Sequence, residues 1–197
     1  MNDKGRIDYK ILVNRQHPMP AEWETELQTV KTTNSCGQEV EVEKKTYAAY
    51  LAMAKELQEE DRIHIELDSG WRSIAEQQRI WDEFMATYGE DYTRKTAAVP
   101  GYSEHHTGLA IDLYFIDQEG TVVYYNKDLV KPEYDRYWAI LHQKLPKYGF
   151  ILRYPKGKEA ITGYKYEPWH LRYIDNPALA QEITDNGITL EEYLGEA

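Results

Sequence analysis

A single cysteine, Cys36, stands among 197 residues, so no intramolecular disulfide can staple the fold. It lies in a polar turn, Asn34-Ser35-Cys36-Gly37, with no histidine near it in sequence, and reads as a free thiol rather than a nucleophile. No apolar run approaches the roughly 18 residues a membrane-spanning helix needs. The opening Met1-Asn2-Asp3-Lys4-Gly5 lacks a hydrophobic signal core, so the expected location is cytoplasmic, or the cell wall or outside if a leader has been removed. Basic residues are outnumbered, 23 against 34 acidic, and the formal net charge of −11 repels polyphosphate backbones and argues against nucleic acid as a partner. Internal repeats, low-complexity tracts and Ser/Gly linkers are missing too. The expectation is one domain over residues 1–197, with 1–40 a polar arm packed on it.

What is present is globular: 42% hydrophobic and 29% charged residues, in a chain long enough to bury a substantial core. Seventeen tyrosines suggest aromatic surfaces around a groove as well as in the core. Ile11 to Asn14 reads as a short strand stopped by Pro18 and Pro20, and Glu39 to Glu43 as a half-exposed one. Helical spacing over Tyr47 to Glu60, with Thr46 as N-cap, is followed by an alternating strand, Ile63, Ile65 and Leu67, ending at Ser69-Gly70. A second helix is predicted from Ser73, with Ser73 and Glu76 as a capping box and Gln77, Ile80, Trp81, Phe84 and Tyr88 on one side, to Gly89. Residues 90–107 read as polar loop. Leu109 to Phe115 and Thr121 to Tyr125 form a hairpin, and Pro132 opens a third helix that stops at Gly149. Phe150 to Arg153 and Tyr166 to Tyr173 read as strands, and Asn176 and Thr189 as caps of two last helices. Helices and antiparallel strands alternate without a regular βαβ period, so the class is α+β, a small antiparallel sheet with flanking helices.

The chemistry concentrates in Ser103 to Asp112 and Glu167 to His170. His105, Asp112 and His170 offer two imidazoles and a carboxylate to a zinc ion, and Glu167 is left over as a carboxylate able to move protons. Three protein ligands with one open position suit a catalytic zinc rather than a closed structural one. Asp112 alternates with Leu109, Ile111, Leu113 and Phe115, and a carboxylate aimed off such a strand into an interior is costly unless paired or metal-bound. Gly108 permits a sharp approach from the loop of His105 into the strand. Each histidine alone is more often a hydrogen-bonded core or surface residue than a metal ligand. No Ser-x-x-Lys motif of serine-type enzymes occurs.

Ser103-x-His105-x-x-Gly108-x-Ala110-x-Asp112 followed by Glu167-x-Trp169-His170 resembles the zinc D,D- and L,D-carboxypeptidases of bacterial cell-wall metabolism, the VanY, VanX, VanXY and LdcB group. Leu12 to Pro20, the turn Ser69-Gly70-Trp71-Arg72-Ser73 (with Trp71 where that family has tyrosine), Tyr148 to Pro155 and Ile161-Thr162-Gly163 extend the likeness over most of the chain. The resemblance implies a hedgehog/D,D-peptidase-like fold and one zinc held by His105, Asp112 and His170. It implies Glu167 as general base, Arg72 as the charge that neutralises substrate carbonyl or carboxylate, and Gln77 and Ser103 as hydrogen-bonding partners of the peptide. His106 falls outside the ligand positions and is expected behind them or at the surface; His17, His64 and His142 are expected to be structural. The implied function is a carboxypeptidase cutting before the C-terminal D-alanine of peptidoglycan stem peptides. The alternatives are a D-Ala-D-Ala dipeptidase and a zinc-holding, non-catalytic binding module. Residues 87–102 and 153–165 are expected to line the pocket.

Overall fold

The structure, a computed structural model, describes residues 7–23, 26–124 and 126–197. The alternating valines of the first acidic strand set the first layer. Val40 and Val42 on β2 (Glu39–Glu43) turn inward, while β1 (Thr29–Thr33) pairs antiparallel along the outer edge. Helix α1 (Lys44–Glu56) follows without a loop, because the Glu43 carboxylate accepts from both the amide and the hydroxyl of Thr46. Glu43, not Thr46, is therefore the cap, and the helix starts three residues earlier than the apolar spacing suggested. It widens into a π turn over Leu57–Asp61, closed by Arg62 in the left-handed conformation.

The main sheet runs β3 (His64–Ser69), β4 (Ala110–Ile116), β7 (His170–Tyr173), β6 (Phe150–Leu152), antiparallel throughout, with β5 (Val122–Val123) on the far half of β4. One face of this sheet presents Ile65, Leu67, Ile111, Leu113, Phe115, Phe150 and Leu171 to α1 and α5 (Asp135–Lys144), and this is the large core. Because strand side chains alternate, the other face is left for a second set. There Ile151 meets Leu179, Ala180 and Ile183 of α7 (Pro177–Asp185) and Leu190 of α8 (Leu190–Leu194). On this second face too lie Asp112, His170, Arg153 and Arg172.

Several local expectations are revised. Residues 11–14 form no strand: Asn14 Oδ1 closes a turn by accepting from Gln16 and His17 amides, and Arg172 takes the carbonyls of Tyr9 and Ile11. Side chains rather than a ladder satisfy that backbone. In α2 (Ile74–Tyr88) the Ser73 hydroxyl caps the Glu76 amide, but the Glu76 carboxylate bonds Arg79 and closes no box; the true box is Thr189 with Glu192 on α8. Within 90–107 lies a helix, α3 (Glu90–Thr96), with no apolar stripe to announce it. Acids in its first turn, bases in its last and the Glu90–Arg94 pair hold it instead. Short helices α4 (Asn126–Leu129) and α6 (Glu159–Thr162) were also unforeseen, and the stretch predicted from Tyr166 becomes a strand only at His170. Pro132 opens a 3-10 turn ahead of α5 rather than the helix itself. The predicted end of the hairpin, Tyr125, lies outside the described residues. Among the described residues no helix is long and apolar enough to cross a membrane.

Candidate metal centre and its cleft

The antiparallel register of β4 and β7 sets Asp112 directly opposite His170, so two candidate ligands 58 residues apart become cross-strand neighbours. The third, His105, rides on a 3-10 turn (Glu104–Thr107) that enters β4 through Gly108 at φ +71°. A Cβ at Gly108 would lie 3.2 Å from the Leu27 side chain, so the close approach as well as the left-handed backbone requires glycine. His105 Nε2 stands 3.1 Å from one Asp112 oxygen and His170 Nδ1 2.9 Å from the other. The ligating atoms of His105, Asp112 and His170 all fall within 4.8 Å of one another.

The outward nitrogens are fixed by other partners. His105 Nδ1 donates to the Gly70 carbonyl at 2.8 Å, and His170 Nε2 to the Glu104 carboxylate at 3.0 Å. Each imidazole thus turns one specific nitrogen toward the common point, as metal-ligating histidines do. This donor set, two oriented imidazoles and one carboxylate, fits a divalent ion such as zinc.

Glu104 is a residue that sequence reading passed over. Its buried carboxylate also accepts from Arg153 Nε at 2.7 Å and Arg172 Nη1 at 2.8 Å, both guanidiniums fully buried. Arg153 in turn forks onto Glu191, which takes a further bond from Asn14. The signal was there: arginines interrupting apolar strands need buried anions, and Glu104 sits within the motif itself.

Electrostatics follow the packing. Burial pushes Glu104 up, but Arg153 and Arg172 outweigh it and hold the carboxyl well below its usual range. Asp112 is likewise held low against burial by His105 and His170. Burial lowers His105; in His170 it is overcome by Asp112 and Glu104, which hold the imidazole up at about 10. Glu167, 4.0 Å from His170 Nδ1, is raised by burial to about 7.

A cleft of about 310 Å³ opens over these groups. Ile80 and Phe84 of α2, Thr96 to Ala98, and Tyr154 and Tyr164 wall it, so both stretches expected to line the pocket do. Ile80 and Phe84 of the apolar stripe of α2 face this cleft rather than the core, Tyr88 is exposed, and only Gln77 on that helix is buried. Arg72 lines the cleft, with Nη1 on Gln77 and Nη2 on Ser69 Oγ; Gln77 also donates to the Ala98 carbonyl. Ser103 lines it as well. Asp68 joins them unforeseen: it is the extra residue where the β3–β4 register shifts between Leu67 and Ser69, and such a bulge re-aims a side chain. His106 is buried behind the ligands, accepting from the Gly101 amide and donating to the Arg72 carbonyl. His142 Nε2 bonds the Pro168 carbonyl, and His17 and His64 lie near surface carboxylates.

Comparison with known proteins places this geometry. The D-alanyl-D-alanine carboxypeptidase (VanY) family matches residues 39–176. The chain belongs to that family. Over 131 residues, 66% of this chain, it is 44% identical to a bifunctional D-Ala-D-Ala dipeptidase and D-Ala-D-Ala carboxypeptidase, VanXYC, of Enterococcus gallinarum. It spans about 65% of the length of this and two further curated relatives. Among solved structures, the LdcB LD-carboxypeptidase superposes with a TM-score of 0.77 at 33% identity, covering 94% of this chain and 85% of that one. The vancomycin-resistance D,D-pentapeptidase VanY, in complex with Zn(II), gives 0.75 at 30%, covering 94% and 98%. The fold is thus the α+β, D,D-peptidase-like one.

Proposed function

We propose that this chain is a zinc metallopeptidase, a carboxypeptidase that hydrolyses the peptide bond before a C-terminal D-alanine of peptidoglycan stem peptides. The observation that carries the reading is Glu167, a half-buried carboxyl 4.0 Å from His170 at the edge of a three-donor metal set, inside a cleft. A zinc-holding binding module has no need of that carboxylate. The Zn(II)-bound VanY relative and the D-Ala-D-Ala activities of the VanXYC relative support the metal and the substrate class. In this reading residues 1–197 work as one domain, with residues 1–40 as an arm tied down by Arg172 and Glu191.

His105, Asp112 and His170 would hold the zinc, which when bound supplies a Lewis acid that polarises the scissile carbonyl and acidifies water. Glu167 takes a proton from the attacking water and returns it to the departing amine, a task matched by a carboxyl pushed toward neutrality. Arg72, held by Ser69 and Gln77, presents its remaining donors to the developing oxyanion or the terminal carboxylate of the peptide. Gln77 and Ser103 complete the wall against which the peptide backbone lies. The proton route requires no serine nucleophile, so β-lactams have nothing to acylate. The test is amine release from a pentapeptide ending in D-Ala-D-Ala, a tetrapeptide ending in D-alanine, and free D-Ala-D-Ala. Turnover of a stem peptide supports the reading; turnover of the free dipeptide alone replaces it with a dipeptidase.

A further inference from the structure

Two stretches of the chain, absorbed by neither metal nor proton transfer, meet beside the cleft. Asn14 is buried and bonded on every side: its Oδ1 accepts from Gln16 and His17 amides, its amide nitrogen donates to the His17 carbonyl, and its side-chain nitrogen donates to Glu191. That anchored residue projects Arg15 across the chain to Gly163. A Cβ at Gly163 would lie 2.9 Å from Arg15 Cδ, so the absence of a side chain there, at φ +78°, leaves the space the arginine occupies. There it stacks on the Tyr164 ring, 4.6 Å from the centroid, with one nitrogen 3.4 Å from the Lys95 carbonyl.

Arg15, Arg94, Ala97, Val99, Tyr102 and Tyr164 enclose a hollow of about 290 Å³. Ala97 and Tyr164 also wall the catalytic cleft, so the two spaces adjoin. Arg94 is engaged by Glu90, whereas among the described residues no carboxylate pairs with Arg15. In a chain of net charge −11, an exposed guanidinium held against a tyrosine ring beside the cleft, with no carboxylate partner among the described residues, is placed to meet an anion.

We propose that Arg15, seated over Gly163 and Tyr164, is a subsite for a carboxylate carried by the peptide substrate on residues upstream of the scissile bond. The proposal rests on the stem-peptide reading above and adds a selectivity to it. A peptide whose upstream carboxyls are free is taken in preference to the same peptide with those carboxyls amidated. The guanidinium acts on binding and sits away from the reacting atoms, so the preference appears in KM rather than in kcat.

The experiment compares kcat/KM for two pentapeptides ending in D-Ala-D-Ala, identical except that the upstream carboxyls are free in one and amidated in the other. The native protein is expected to favour the free-carboxyl peptide by about threefold to tenfold, as suits a partly exposed charge pair. That ratio falls to about one in Arg15→Gln and is kept in part by Arg15→Lys. It also shrinks in the native protein as ionic strength rises, a readout that needs no variant. Peptides with a single free carboxyl at each upstream position show which one is read. No preference in the native protein, or a preference undiminished in Arg15→Gln, overturns the proposal. If the native protein cleaves neither peptide, the carboxypeptidase reading fails separately. Calorimetric titration of the same two peptides then tests the subsite: tighter binding of the free-carboxyl form upholds it and equal binding overturns it.

Discussion

At the scale of single residues, the cluster of candidate ligands was legible and its support was not. His105, Asp112, His170 and Glu167 are short-range patterns of chemically distinctive residues, and a strand aspartate among apolar neighbours calls attention to itself. Glu104 is more deeply buried than Asp112, but its partners Arg153, Arg172 and His170 lie 49 to 68 residues away and meet it only through tertiary structure. Its role follows from which His170 nitrogen it holds. Glu104→Gln is expected to weaken zinc affinity by about 10- to 100-fold, read by competition with a chromophoric chelator, because the ligand loses the acceptor that orients it. An unchanged affinity would assign Glu104 to the arginines alone.

At the scale of elements, helices with an apolar stripe against the core were readable and those held by charge were not. Helix α3 lacks such a stripe and reads as loop in the sequence; α2 has one, but its Ile80 and Phe84 point into the cleft. Phe84, packed edge-on against Tyr88 and lining the cleft, is therefore expected to matter more for substrate binding than for the fold. Phe84→Ala should raise KM for a stem peptide about tenfold while leaving the thermal midpoint nearly unchanged. A fall in thermal midpoint without a change in KM would reverse that assignment. On α5, burial lowers His142 from its ordinary 6.5 to about 4 while Nε2 donates to the Pro168 carbonyl, next to the segment carrying Glu167. The folded state thus resists a proton that the unfolded chain accepts. Its contribution is complete above about pH 6.5, is lost as pH falls from there through 4, and amounts to on the order of 3 kcal/mol. Urea titrations across that window should show a shallower acid loss in His142→Gln than in the native protein; parallel curves would exclude this source.

At the scale of the whole molecule, the α+β class and the alternating hydrophobicity of the strands were visible, whereas the register that sets Asp112 opposite His170 was not. Register depends on which face each strand buries, and here both faces are buried: one against α1 and α5, the other against α7, α8 and the ionic network. Asn14 and Glu191, from early and late in the described chain, converge on the candidate metal site, since Asn14 holds Glu191, which braces Arg153, which braces Glu104, which holds His170. Removing the metal should accordingly abolish turnover and lower the thermal midpoint, with zinc restoring both. At free zinc a thousandfold above Kd, the ion adds about 4 kcal/mol to the folded state.

The most direct measurement of the central claim is D-alanine release from a pentapeptide ending in D-Ala-D-Ala by zinc-loaded native protein and by zinc-loaded Glu167→Ala. The account expects release by the native protein and equal zinc content in both, with turnover of the variant reduced by about 10²- to 10⁴-fold. Equal release by the two, or release by neither with zinc bound in both, would contradict it.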